Sequence, residues 1–197
     1  MEKTSIFVIG VGGQGSLLAS RIIAIASLRA GINVLMSEVH GMAQRGGVVE
    51  STVRIGDVHS PIIRDGDADI ILGFEIAETL RALRKASNKT TIFSSTDSII
   101  PITVSLNKGE YPDPKSAIEN IKKAGKKTYF LDSIALAGKA GNVITSNIVM
   151  LGALGESGLL PFDESFLLEA VRESVPPHAI KVNEKAYALG REAVKGG

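Results

Sequence analysis

The first apolar run of the chain, Ile6-Phe7-Val8-Ile9, meets glycine at position 10 and is followed by a helical pattern over residues 16–30. A short apolar stretch before a glycine turn and a helix reads as a strand. At about 100° per residue, Ser16, Ala19, Ser20, Ala26, Ser27 and Ala30 share one small-residue side of the helix. Leu17, Leu18, Ile22, Ile25 and Leu28 lie largely opposite, interrupted by Arg21 and Arg29. The small side permits close packing on a sheet. The bulky side calls for further cover, from this chain or from a partner.

Gly31 stops the helix, and Ile32-Asn33-Val34-Leu35-Met36 reads as a second parallel strand. Residues 48–55 alternate like a strand and meet the turn signal Gly56-Asp57, so a hairpin with residues 58–63 is expected. That hairpin would add antiparallel pairing to an otherwise parallel sheet. Asp69-Ile70-Ile71-Leu72-Gly73-Phe74 is a short buried strand, followed by a helix over 75–86. Thr91-Ile92-Phe93-Ser94 and residues 127–131 repeat the strand theme around a helix at 114–124. Residues 147–154 are apolar and helical, Pro161 and Pro176-Pro177 bracket a helix at 164–174, and a last helix covers 181–194. The alternation predicts one three-layer α/β/α domain over residues 1–197, Rossmann-like, with a mixed, mostly parallel sheet.

Composition narrows the function. With 22 basic and 21 acidic residues the net charge is +1, which gives no case for nucleic acid or an anionic membrane as partner. No apolar run approaches the ~20 residues of a membrane span, and a cytoplasmic protein is expected. The chain has no cysteine, and Fe–S clusters, most structural zinc sites and redox disulfides all need thiolates. The three histidines, His40, His59 and His178, are scattered without metal-ligand spacing, so no metal site is expected. If electrons pass through an assembly containing this chain, the redox centres lie elsewhere.

Two motifs carry the chemistry. Gly10-Val11-Gly12-Gly13-Gln14-Gly15, between strand and helix, matches the dinucleotide fingerprint GxGxxG. Glu38 follows Gly15 by 23 residues, where a ribose-binding carboxylate belongs, so NAD binding is one reading. Gln14 adds a long amide inside the turn, where it would either crowd a pyrophosphate or hydrogen-bond a neighbouring loop. No acid/base set for hydride transfer accompanies it, and a tight turn without a ligand is the plainer alternative. The second motif is Ser37-Glu38-Val39-His40-Gly41-Met42-Ala43-Gln44-Arg45-Gly46-Gly47. Directly after a strand, it belongs at the carboxyl edge of the sheet, beside the first loop. It offers an imidazole, a carboxamide, a guanidinium and a glycine pair, able to bind an anion or a partner backbone. Alternatively its charges fold back on Glu38.

These two motifs, with Asp69-Ile70-Ile71-Leu72-Gly73-Phe74-Glu75, residues 147–154 and Val175-Pro176-Pro177, resemble the gamma-domain family of 2-oxoacid:ferredoxin oxidoreductases, in particular its indolepyruvate type. The resemblance covers nearly the whole chain. It implies a cofactor-free subunit of a heteromer that converts an arylpyruvate to acyl-CoA, and one that is inactive alone. The larger partner subunit would hold thiamine diphosphate and the Fe–S clusters, with CoA as co-substrate and ferredoxin as acceptor.

On that basis no catalytic residue is assigned here. Gly10, Gly12, Gly13, Gln14 and Gly15 are expected to form one surface with Glu38, His40, Gln44, Arg45, Gly46 and Gly47, facing the partner's active site or the path of CoA. Arg45 is the candidate for an anion contact, a CoA phosphate or a partner carboxylate, because its planar fork suits both. His40 and Gln44 would orient it. His59 and His178 read as surface residues, and an isolated chain is expected to be able to form a homodimer. The competing readings are a free-standing NAD-dependent oxidoreductase and a non-catalytic binding module.

Overall fold

The computed structural model describes residues 3–40, 47–99 and 111–195, so Gln44, Arg45 and Gly46 lie outside the described residues. Strands are β1 Thr4–Val11, β2 Val34–His40, β3 Val48–Ile55, β4 Ile70–Gly73, β5 Thr91–Ser95 and β6 Lys127–Leu131. Helices are α1 Ser16–Arg29, α2 Ile76–Ala82, α3 Pro114–Ala124, α4 Ser133–Ala140, α5 Ser146–Glu156, α6 Glu164–Ser174 and α7 Ile180–Val194. The strands form one sheet in the order β2-β3-β1-β4-β5-β6. β1, β4, β5 and β6 are parallel neighbours, while β3 is antiparallel to both β1 and β2.

β1 separates two cores by alternation. Ile6 and Val8 join the cluster that takes in α1 and α4 to α7, and Phe7 and Ile9 join the cluster of α2 and α3. The three layers read from the sequence are present, and the continuous apolar run is explained by burial on both faces. α5 is the central helix of the thicker layer, with every residue from Asn147 through Leu154 buried. It lies so close to α7 that a Cβ on Gly152 would come within 2.0 Å of Tyr187 O, and one on Gly190 within 1.9 Å of Val149 O. Only glycine allows that approach.

The antiparallel part differs from expectation. Residues 58–63 form no strand; β3 turns back on β2 instead and inserts between β2 and β1. Pro61 removes a ladder donor, and the Arg54 guanidinium takes the Ser60 and Ile62 carbonyls that a strand would use. The apolar pattern there serves burial: Val58 and Ile63 anchor an irregular segment to the core. β2 therefore shares the direction of β1 without touching it. α4, which the apolar pattern does not announce, starts at an Asp132 side chain that accepts from Ala135 N.

Candidate functional site

The parallel strands end on one edge of the sheet, and the glycine loop is built there from the end of β1. Gly15 caps α1 with φ +77°, and a Cβ on it would lie 2.7 Å from Asn147 Nδ2. That amide instead donates to the Gly15 carbonyl at 3.3 Å, tying the loop to α5. Gly13 also has positive φ, +104°, with open space beside it. Gln14 resolves its own alternatives. Its Oε1 accepts from Val11 N at 2.8 Å, and its Nε2 donates to the Phe74 carbonyl at 2.8 Å. Gln14 thus closes the loop on itself and pins it to the end of β4.

The second motif adjoins the first. Gly12 N donates to the Gly47 carbonyl at 2.8 Å, continuing the ladder that pairs Val11 with Val48. His40 ends β2 opposite Val49. Glu38 is not brought to the glycine loop: β3 stands between, which puts β2 about 10 Å from β1 at ~4.8 Å per strand. Glu38 instead lies 3.4 Å from Arg21 Nε on α1. The ribose-carboxylate arrangement needs the second strand beside the first, and here it is displaced. His59 has a side chain 92% exposed beside Asp57, and His178 is exposed as well.

A cavity of about 250 Å³ opens beside the loop, between Gly13, Gln14, Gly15 and Leu18 on one side and residues from Asn142, Asn147, Pro176 and Asn183 on the other. Asn147 and Asn183 are nearly fully buried, and the Ser174 hydroxyl, also on its wall, has no hydrogen-bond partner. The cavity offers carboxamides and a free hydroxyl in an apolar setting, and carries no charged side chain. Sequence reasoning missed these polar residues. The signal was a lone asparagine, Asn147, opening an otherwise apolar helix.

A second group missed from sequence is Glu75, at the end of β4. Its buried carboxylate caps α2 through Glu78 N at 2.8 Å, accepts from Ile99 N at 3.2 Å, and accepts from the Tyr111 hydroxyl. Burial, reinforced by the hydrogen bond to Glu75, pushes the Tyr111 hydroxyl up to about 12. Burial also raises the Glu78 carboxyl above its usual range, opposed by Arg81 at 2.9 Å. Nearby, Asp97 accepts from Ser133 Oγ at 2.6 Å and Ile134 N at 3.2 Å, joining β5 to α4. Glu75 and Asp97 are engaged by donors from their own chain and brace the edge, while Glu78 is held through one oxygen and its other buried oxygen has no partner. Among the described residues no group of His, Asp or Glu is placed to hold a metal ion.

A family model described as pyruvate ferredoxin/flavodoxin oxidoreductase matches residues 5–193. The chain belongs to that family. Family members similar to it include the indolepyruvate oxidoreductase subunit IorB of Archaeoglobus fulgidus, 40% identical over 98% of this chain and 97% of its own length. The protein of the same name from Pyrococcus horikoshii is 40% identical over 99% and 98%. Among solved structures, the gamma subunit of a keto/oxoacid ferredoxin oxidoreductase from Geobacter sulfurreducens has TM-score 0.72 at 24% identity, covering 98% of this chain and 99% of that one. A 2-oxoglutarate:ferredoxin oxidoreductase from Magnetococcus marinus has TM-score 0.77 at 20% identity, covering all of this chain and 32% of that one. These two structures share the α/β fold described above. No helix among the described residues is long and apolar enough to cross a membrane.

Proposed function

We propose that this chain is the cofactor-free subunit of a 2-oxoacid:ferredoxin oxidoreductase acting on indolepyruvate or a related arylpyruvate, and that its two-loop edge completes a site held by a larger subunit. The observation that supports the reading is the Gly12 N to Gly47 O bond, which ties the glycine loop to the last residue of the second motif. Full-length identity near 40% to indolepyruvate oxidoreductase subunits supports the substrate class.

With no cysteine in 197 residues, this chain cannot ligate an Fe–S cluster through thiolates. In the proposed assembly, thiamine diphosphate on the partner supplies decarboxylation and the clusters carry electrons to ferredoxin. This chain's own contribution is to position. Gln14 and Asn147 hold the glycine loop rigid. Arg45 supplies a planar cationic fork to a CoA phosphate or a partner carboxylate, with His40 and Gln44 beside it in sequence. Having no side chains, the pair Gly46-Gly47 would let a ligand come close to the backbone.

Co-expression with a thiamine- and cluster-bearing subunit tests the proposal. The purified pair should reduce a dye in a reaction dependent on arylpyruvate and CoA, and neither chain should do so alone. Activity of this chain alone with NADH as donor would sink it, in favour of a free-standing oxidoreductase.

A further inference from the structure

The sheet has two outer edges, and among the described residues they differ in lysine content. β6 opens on Lys127 and follows Lys122, Lys123 and Lys126; charge of this kind keeps an edge from pairing. β2, Val34-Leu35-Met36-Ser37-Glu38-Val39-His40, has no proline and no lysine, and among the described residues nothing pairs with its outer side. The Asn33 carbonyl accepts from Gly56 N at 2.8 Å, so odd-numbered residues of β2 turn their backbone to β3. The amides and carbonyls of Val34, Met36, Glu38 and His40 therefore face outward.

α1 supplies the second half of this surface. Leu17, Arg21, Ala24 and Leu28 recur at four-three-four spacing and form one stripe. On its other flank α1 is covered, with Arg29 paired to Glu169 and Glu173 of α6. The stripe lies on the β2 side, where Arg21 meets Glu38. Leu28 is 63% exposed and Val39 61% exposed.

We propose that this edge pairs with the same edge of a second copy of the chain, about a two-fold axis through Ser37, giving one continuous sheet flanked by two antiparallel α1 helices. The arrangement is self-complementary. Leu35 falls opposite the second copy's Val39, covering its exposed side chain, and Met36 falls opposite Glu38. Centring the axis on Glu38 would set two carboxylates face to face, which the Ser37 centre avoids. In the helix pair Leu17 meets Leu28 and Arg21 meets Ala24, so the stripe's centre lies between residues 21 and 24. The Arg21–Glu38 contact brings that centre beside the middle of β2, and one axis serves both elements. The two Arg21–Glu38 pairs then lie side by side with alternating sign. An extended peptide from another protein would satisfy the strand and leave the α1 stripe bare; a second copy covers both.

The inference stands apart from the catalytic reading and is tested on the full chain alone. Because the chain has no cysteine, Ser37→Cys places a single thiol on the proposed axis. Residues facing each other in a non-hydrogen-bonded antiparallel pair have Cα atoms about 4.5 Å apart, within disulfide reach. Under mild oxidation Ser37→Cys should give a covalent dimer, while Ile62→Cys, more exposed than Ser37 but away from this edge, should stay monomeric. Leu28→Lys with Val39→Lys should keep the circular dichroism of the wild type and weaken the dimer at least tenfold in sedimentation equilibrium. A wild-type chain monomeric at its highest soluble concentration, or Ser37→Cys crosslinking no faster than Ile62→Cys, would overturn the proposal.

Discussion

The parallel and antiparallel halves of the sheet end in different ways. At the carboxyl ends of β1, β4 and β5, the polar side chains are used up internally: Gln14 bridges Val11 and Phe74, Glu75 gathers Glu78, Ile99 and Tyr111, and Asp97 gathers Ser133 and Ile134. β2 instead leads into the His40–Gly47 motif and β3 follows it, and among the described residues nothing pairs with the outer side of β2. A polar residue at a strand end is therefore not a ligand contact by position alone. In the parallel half such residues brace the loops, and under the function proposed above the groups that meet a partner come from the antiparallel half.

That contrast can be broken by substitution in each half. Glu75→Ala removes the acceptor for two backbone amides and a hydroxyl in a buried corner, and should cost about 2–4 kcal/mol in urea unfolding. Stability within measurement error of the wild type would mean that the corner is not a brace. Glu78→Gln should have a smaller effect, visible in the pH dependence. Burial raises the Glu78 carboxyl in the folded chain above its unfolded value of about 4.5, so the folded state holds the proton more tightly. The stabilisation this gives is full below the unfolded value and is lost as pH rises through the raised folded value. Glu78→Gln removes that loss, so the variant's stability should fall less than the wild type's across that window. An identical pH profile would contradict the cause assigned here.

Much of the parallel half was legible from the sequence. β6, α3 and α6 fall on the expected residues, because each is bounded by a strong breaker or cap such as Asp113, Gly125 or Asp163. The strand–turn–helix at Gly10 was legible from the glycines, since Gly15 needs a positive φ and lacks room for a Cβ. The pairing of β3 was not, because alternation reports which side is buried and not which strand lies alongside. Residues 58–63 carried the same apolar signal as a strand, yet Pro61 and the Arg54 contacts made them an anchored irregular segment. Glu75 was invisible as a hub because its donors come from residues 24 and 36 positions away. Glu38 sat at the spacing of a ribose carboxylate, and only the insertion of β3 removed it from the glycine loop.

In the function proposed above, Arg45 is the residue through which this chain serves a partner's site. The most direct measurement is the CoA dependence of arylpyruvate oxidation by the assembled pair, wild type against Arg45→Ala. Arg45→Ala should leave the complex intact while its kcat/KM for CoA falls at least tenfold, about 1.4 kcal/mol or more of lost transition-state stabilisation. Unchanged turnover and unchanged CoA dependence in the variant pair would contradict it.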